Sequence, residues 1–168
     1  MTLHRTVLAC SGLVFLLAAG PVAAQLRNRS ISAESGLSAP LGSSAPASAT
    51  FAVTATGWLD GDLEALARVA LRAGPRTEGR DADGLAWSGT AGLRLSLLPE
   101  PFRPQVALEL GWARVDGSEG PSDRLAWAAG LGVEWFAARD VSVAARCALR
   151  GAGNAPSLEV TGGFAAYF

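Results

Sequence analysis

Few side chains in this 168-residue sequence are of the types that commonly carry out catalysis or bind metals. The sequence has one histidine, His4, two cysteines, Cys10 and Cys147, and 15 acidic residues against 14 basic ones. Ser-His and Cys-His nucleophile pairs need a histidine, and so do most catalytic zinc sites. Without His4, the chain could support only chemistry that carboxylates carry out alone.

The beginning of the sequence has the pattern of a secretory signal peptide. A positively charged start, Met1 to Arg5, precedes an apolar run, Thr6 to Ala19, and the small residues Val22-Ala23-Ala24 follow. The apolar run is shorter than the roughly 20 residues that a membrane-spanning helix needs. We predict a signal peptide over 1–24 and one exported domain over 25–168.

Cleavage at this position would remove both His4 and Cys10. The remaining Cys147 has no partner for an internal disulfide, and its apolar alternate neighbours predict a small apolar side chain rather than a reactive thiol. We therefore predict no catalytic residue, no metal site and no cofactor, and a protein that is not an enzyme.

Composition excludes two further classes. A formal net charge of -1 gives no basic surface for nucleic acid, and 49% hydrophobic with 17% charged residues is too apolar for a disordered chain. The length corresponds to a single domain.

Apolar residues recur at every second position along most of the exported chain, which is the period of a β-strand. One segment, Leu63–Leu71, also contains residues that favour helix, but its strict alternation after Asp60-Gly61-Asp62 favours a strand. The pattern predicts eight strands, of which the first is the weakest: Ser30–Leu37, Phe51–Leu59, Leu63–Leu71, Leu85–Leu97, Val106–Trp112, Leu125–Trp135, Val141–Leu149 and Leu158–Phe168.

The connections between these strands alternate in length. Short ones are predicted at Asp60-Gly61, Pro99–Pro104 and Ala138-Arg139-Asp140, and longer polar ones include Gly74–Gly84 and Asp116–Asp123. Such asymmetry indicates a sheet with two different ends. We expect the longer connections outside the cell and both chain ends in the periplasm.

The positions between the apolar ones carry small residues and a balanced set of charges. Five glutamates and five arginines suit a closed interior in which charges must pair, because an unpaired buried charge costs several kcal/mol. A soluble barrel or sandwich would instead turn its apolar positions inward and its polar ones to water. The predicted lumen charge network is Glu34, Glu64, Arg68, Arg72, Arg94, Glu109, Glu134, Arg146, Arg150 and Glu159.

Aromatic residues share the apolar positions. Trp127 and Trp135 are eight residues apart on one face, which corresponds to roughly 20 Å along the normal of a bilayer for a tilted strand. Predicted strands of about 9 to 13 residues also match a tilted membrane crossing. We predict an aromatic girdle of Trp87, Trp112, Trp127, Trp135 and Phe168 around an all-β, eight-stranded, antiparallel up-and-down transmembrane barrel.

This pattern, together with the final segment Thr161–Phe168, resembles the small outer-membrane barrels of the OmpA and OmpX kind. The resemblance covers Ser30–Phe168 and departs at Ala166, where that family often has a larger apolar residue. It implies a monomer in the outer membrane of a Gram-negative cell, surrounded by outer-membrane lipid and recognised by the barrel-assembly machinery through the strand that ends in Phe168. With the chain stopping there, no peptidoglycan-binding domain is expected.

Three functions remain open at this point. The first is a structural or surface-binding barrel whose lumen is plugged by Arg/Glu pairs and whose outer loops meet an unidentified ligand, and its close alternative is a narrow channel for small solutes. Another is a soluble lipocalin-like periplasmic carrier, which needs the apolar positions to line a cavity. A membrane-embedded hydrolase is the least favoured, since the small barrel hydrolases depend on histidine.

Overall fold

The computed structural model describes residues 29–74, 85–97, 101–117, 120–152 and 155–168. The predicted signal peptide therefore lies outside the described residues. Within them, no helix is long and apolar enough to cross a membrane. The described chain forms eight strands: β1 (Arg29–Pro40), β2 (Ser48–Asp60), β3 (Leu63–Ala73), β4 (Leu85–Ser96), β5 (Phe102–Gly117), β6 (Gly120–Ala138), β7 (Val141–Ala152) and β8 (Ala155–Tyr167).

Each strand pairs antiparallel with the next along the chain, and β1 pairs with β8, so the sheet closes into a barrel. The closing seam is continuous from Ser30 opposite Tyr167 to Pro40 opposite Ser157. The prediction of an all-β, up-and-down, eight-stranded barrel is confirmed. Both uncertain segments, the weak first strand and the helix-prone third, are strands of full length.

The predicted difference between the two ends of the barrel holds in part: the connections β1–β2 and β3–β4 are long, whereas the strand bounds leave only two residues between β5 and β6 and between β7 and β8. We call the end with the connections β1–β2, β3–β4, β5–β6 and β7–β8 the loop end. The opposite end, with the connections β2–β3, β4–β5 and β6–β7 and both described chain termini, is the turn end. There Gly61 adopts a φ of 48°, a left-handed conformation that suits the predicted Asp60-Gly61 turn.

Two connections have different bounds from those that the sequence predicted. The segment Asp116–Asp123 was expected to be a loop, but β5 and β6 continue as a paired ladder in which Arg114 lies opposite Asp123. Pairing across the hairpin outweighs the low strand propensity of its Gly, Pro, Ser and Asp residues. At the turn end, the expected connection Pro99–Pro104 is shorter, because β5 already begins at Phe102.

Closure brings the backbones of neighbouring strands very close at certain glycines. A Cβ atom on Gly163 of β8 would lie 2.1 Å from the carbonyl oxygen of Ala33 on β1, whereas one on Gly162 would meet nothing nearer than 3.8 Å. On the outer face, the Trp127 ring covers Gly151, where a Cβ would lie 2.2 Å from the indole nitrogen. Of these two neighbouring glycines on β8, only Gly163 is required by contact.

Candidate functional site in the barrel interior

The side chains of the two strand faces are inverted with respect to a water-soluble protein. Leu125 and Leu131 on β6 are 70% and 66% exposed, whereas Glu64, Arg68 and Glu134 are buried in the lumen. Alternation along each strand sends one set outward and the other inward, since successive side chains leave opposite faces of a sheet. The interior of an eight-stranded barrel is just wide enough for its side chains to fill it.

Six of the predicted charged residues form one network across the middle of the lumen, which we call the central cluster. Arg68 donates to Glu34 and, at 2.8 Å, to Glu159. Arg150 then bridges Glu159 at 2.9 Å and Glu109 at 3.0 Å. The cluster holds three carboxylates and three guanidinium groups and is electrically balanced: Glu34, Arg68, Glu109, Arg146, Arg150 and Glu159.

A second group, the turn-end cluster, lies nearer the turn end. Arg94 on β4 donates two hydrogen bonds to Glu64 on β3. Arg103 on β5 approaches the same carboxylate, with Nη1 3.7 Å from Oε1. Glu64 and Arg94 were both predicted members of the lumen network. The structure brings them together with an arginine that the sequence analysis had assigned to a connection.

Glu134 completes the turn-end cluster through neutral donors. Its carboxylate accepts a hydrogen bond from Gln105 Nε2 at 2.8 Å and another from the hydroxyl of Tyr167 at 2.5 Å. The hydroxyl of Ser142 is a third donor. Three donors from β5, β7 and β8 satisfy this buried acceptor, as a charge out of water requires.

Two aromatic rings contact Arg103 at the turn end of the lumen. The guanidinium carbon of Arg103 lies 4.9 Å from the centre of the Trp58 ring and 5.0 Å from that of Phe136. Phe136 in turn contacts Tyr167, with ring centres 5.1 Å apart. A guanidinium over two rings gains a cation–π attraction from each of them.

Space between the two clusters is small. The cavity there has a volume of about 40 Å³, and its walls include Glu34, Arg94, Gln105, Glu134 and Arg146. A single water needs about 10 to 15 Å³ measured in this way, so the cavity has room for a few waters.

Arg72 is the one predicted network arginine that forms no ion pair with any residue the structure describes. Its only hydrogen bond there is from Nη1 to the hydroxyl of Ser38, at 3.4 Å. Five described arginines in the lumen pair with glutamates. The prediction counted Arg72 among them, but the fifth is Arg103. Extending the alternation of β5 back from Gln105 through Pro104 would have identified Arg103.

The predicted girdle residues lie at two levels of the outer face. Trp87 and Trp112 are near the loop end and pack edge to face, with ring centres 6.2 Å apart. Trp135 and Phe168 are exposed near the turn end. Trp127 belongs to the loop-end side, because it lies two residues along β6 from Leu125, the register partner of Trp112.

Apart from these charged side chains, the described residues include few groups that could react or bind a metal ion. Cys147 is a free, exposed cysteine on the outer face of β7. Among the described residues, no group of three or more His, Cys, Asp or Glu side chains is arranged to hold a metal ion. The arrangement can therefore fill and rigidify the lumen.

No protein-family model matches the sequence, and no curated protein is significantly similar to it. Solved structures do match in fold. Neisserial surface protein A is 16% identical, with 84% of this chain and 97% of that chain aligned at a TM-score of 0.67. Ail, the attachment invasion locus protein of Yersinia pestis, is 16% identical over 85% of this chain and 100% of its own, with a TM-score of 0.59.

A third match is the N-terminal β-barrel domain of Pseudomonas aeruginosa OprF. It is 14% identical over 86% of this chain and 100% of that chain, with a TM-score of 0.60. The chain thus has the fold of the small eight-stranded outer-membrane barrels, as the sequence pattern indicated.

Proposed function

We propose that this protein is a non-enzymatic barrel of the bacterial outer membrane, with a lumen plugged by Arg/Glu pairs and a loop end that serves a structural or surface-binding role. The observation that carries the proposal is the inversion of the two faces. Large apolar side chains cover the outside of the barrel, while charged side chains are buried within it. This is the arrangement of a barrel in lipid.

The height of the apolar surface supports a membrane crossing. On β5, the outward positions from Phe102 to Trp112 carry no charge, and the outward positions of β6 from Leu125 to Trp135 carry none either. Ten residues at about 3.3 Å each, tilted by about 40°, span roughly 25 Å, the height of the apolar band in outer-membrane barrels. Arg114, at the next outward position beyond Trp112, is within reach of the headgroups.

The side chains of the lumen favour a plugged barrel over a narrow channel or a soluble carrier. A narrow channel needs a continuous water path, but the central cluster bridges the lumen and Arg103 lies between two rings at the turn end. A soluble lipocalin-like carrier needs an apolar cavity, and the lumen is lined by charged and hydroxyl side chains. Both arrangements are therefore disfavoured.

A binding role at the loop end draws on the neighbours in fold. Ail is named for attachment and invasion, and one of its structures is a complex with the heparin analogue sucrose octasulfate. Another was obtained in a phospholipid bilayer nanodisc. By analogy, we propose that the loops of this barrel contact an extracellular partner while its outer face contacts outer-membrane lipid.

Cell fractionation and gel mobility test the proposal. The protein should be found in the outer membrane and should migrate faster on SDS gels before boiling than after it, because a closed barrel resists SDS. N-terminal sequencing of the same material should begin at Gln25. Recovery in the soluble periplasm would contradict the proposal.

Orientation needs a separate test. An epitope inserted between Gly79 and Arg80, in the β3–β4 connection, should be labelled by antibody on intact cells. An epitope after Phe168, at the turn end, should become accessible only after the outer membrane is permeabilised. The reverse labelling pattern would place the loop end in the periplasm.

A further inference from the structure

Arg72 stands apart from the balanced lumen clusters. It points into the lumen four residues beyond Arg68 on β3, toward the loop end, and its one hydrogen bond among the described residues is the long contact with Ser38. The carboxylate of Glu159 lies opposite Ser38 across the β1–β8 seam. Glu159 is already engaged by Arg68 and Arg150.

Two hydroxyl groups, those of Thr50 and Ser38, face the same part of the lumen as Arg72. Thr50 on β2 is the direct cross-strand partner of Arg72. The residue is only 1% exposed, and its hydroxyl has no hydrogen-bond partner among the described residues. Ser38 is 2% exposed, and apart from the long contact with Arg72 its hydroxyl is free to donate. Directly opposed side chains have Cβ atoms about 5 Å apart, so Arg72 and Thr50 face the same small volume.

A buried hydroxyl without a partner is costly, and so is a guanidinium without an acceptor. Both groups are hydrogen-bond donors, and each still lacks a strong acceptor. A tetrahedral oxyanion supplies several acceptor oxygens at once, and a guanidinium fork binds two of them in parallel. A single oxyanion bound here would therefore satisfy the half-buried guanidinium and the hydroxyl together.

We propose that Arg72, Thr50 and Ser38 form a binding site for a phosphate-type oxyanion at the loop-end mouth of the lumen. The guanidinium of Arg72 holds two oxygens, and the two hydroxyls donate to the others. A lipid phosphate cannot reach the site through the wall, because these side chains point away from the outer face. The ligand is a free anion or the phosphate group of a soluble ester, and the site does not depend on how the barrel is oriented in a membrane.

Titration of the isotope-labelled protein in nanodiscs tests this site, with inorganic phosphate as the first probe and glucose 6-phosphate as the second. Ionic strength is held constant with sodium chloride. Saturable shifts are expected at the Thr50 and Ser38 amides and at the Arg72 Nε–H resonance. Binding of inorganic phosphate alone would indicate a site for the free ion, and binding of both probes would indicate that the mouth also admits a phosphate ester.

Variants separate binding from a structural role. Arg72→Gln should weaken phosphate binding at least about tenfold, since it removes the charge-assisted hydrogen bonds. Thr50→Val keeps the side-chain shape and removes only the unpartnered hydroxyl. It should weaken binding several-fold without lowering the urea midpoint of unfolding. Arg114→Gln, which changes an arginine on the outer face, should bind phosphate as the wild type does.

Two results would overturn the proposal. One is equal phosphate affinity in the wild type, Arg72→Gln and Thr50→Val, each shown to be folded by its heat-modifiable mobility. The other is a set of shifts that do not saturate, or that centre on Arg114 and Arg124.

Discussion

Arg68 and Glu159 are 91 positions apart in the sequence, yet Nη2 of Arg68 donates to Oε1 of Glu159 at 2.8 Å inside the barrel. The same carboxylate oxygen accepts a hydrogen bond from Arg150 at 2.9 Å. One glutamate on β8 thereby joins β3 and β7. Because the central cluster connects strands that are not neighbours in the sheet, the loss of one charge should affect the whole barrel.

Glu109 is the acceptor for two arginines and a threonine. Arg146 and Arg150 both donate to it, and the Thr90 hydroxyl lies 2.6 Å from Oε2. Glu109→Leu leaves two buried guanidinium groups without this partner, so the free energy of unfolding should fall by about 3 to 5 kcal/mol. Urea unfolding from lipid vesicles, followed by tryptophan fluorescence, measures this change.

The control for this variant is Arg114→Gln. Arg114 and Asp123 form a solvent-accessible pair at 3.8 Å on the outer face, and such a pair contributes less than about 1 kcal/mol. If Glu109→Leu unfolds at the same urea concentration as the wild type, the central cluster does not stabilise the barrel.

Leu131 and Leu125 allow a test of membrane depth on a single strand. Both point outward from β6 and are similarly exposed, but Leu131 lies near the middle of the apolar band and Leu125 beside Trp112 near its edge. Leu131→Arg should cost about 2 to 4 kcal/mol in a bilayer, and Leu125→Arg about 0 to 1 kcal/mol. Equal effects of the two substitutions on unfolding from vesicles would argue against a barrel in lipid.

Gly163 and Gly162 test closure of the sheet between β8 and β1. Gly163→Ala forces a Cβ against the Ala33 backbone and should destabilise the barrel by about 1 to 3 kcal/mol, the usual cost of overpacking. Gly162→Ala has open space and should be close to neutral. The fraction that remains in the fast-migrating form on SDS gels at rising temperature compares the two variants. Identical melting of this form would mean that the seam is not as tight as described.

Tyr167 and Ser142 both donate to Glu134 in the turn-end cluster. Tyr167→Phe removes one hydrogen bond to a charged acceptor and should cost about 1.5 to 3 kcal/mol in unfolding free energy. Combined with Ser142→Ala, it leaves Gln105 as the remaining donor among the described residues, and the loss should exceed the sum of the single effects. Strict additivity in this double-mutant cycle would show that the donors act independently.

The alternation of side chains was sufficient to predict the fold. A period of two specified which residues of β4, β6, β7 and β8 face outward, and the equal numbers of Glu and Arg on the other face indicated a lumen. The β5–β6 hairpin was truncated in the prediction, because Asp116–Asp123 has the composition of a loop. Pairing between Arg114 and Asp123 is a tertiary effect that local propensity does not contain.

The pairing within the lumen could not be predicted to the same degree. Which glutamate meets which arginine depends on the register of strands distant in sequence, as in the contact of Arg68 with Glu159. Arg103 was missed because Pro101 and Pro104 flank it, and prolines usually mark a turn or a strand edge. The role of Tyr167 in the lumen was not predicted, because the prediction considered only Phe168 as the aromatic residue at the end of β8. The two side chains point to opposite faces of the sheet.

Planar-bilayer conductance of the purified wild-type protein tests the plugged lumen most directly. With the central cluster bridging the interior and Arg103 between Trp58 and Phe136, we predict no stable open channel in concentrated potassium chloride, although the protein inserts and keeps its heat-modifiable mobility. A persistent, reproducible open-channel conductance from the same folded protein would contradict the account and favour a narrow channel.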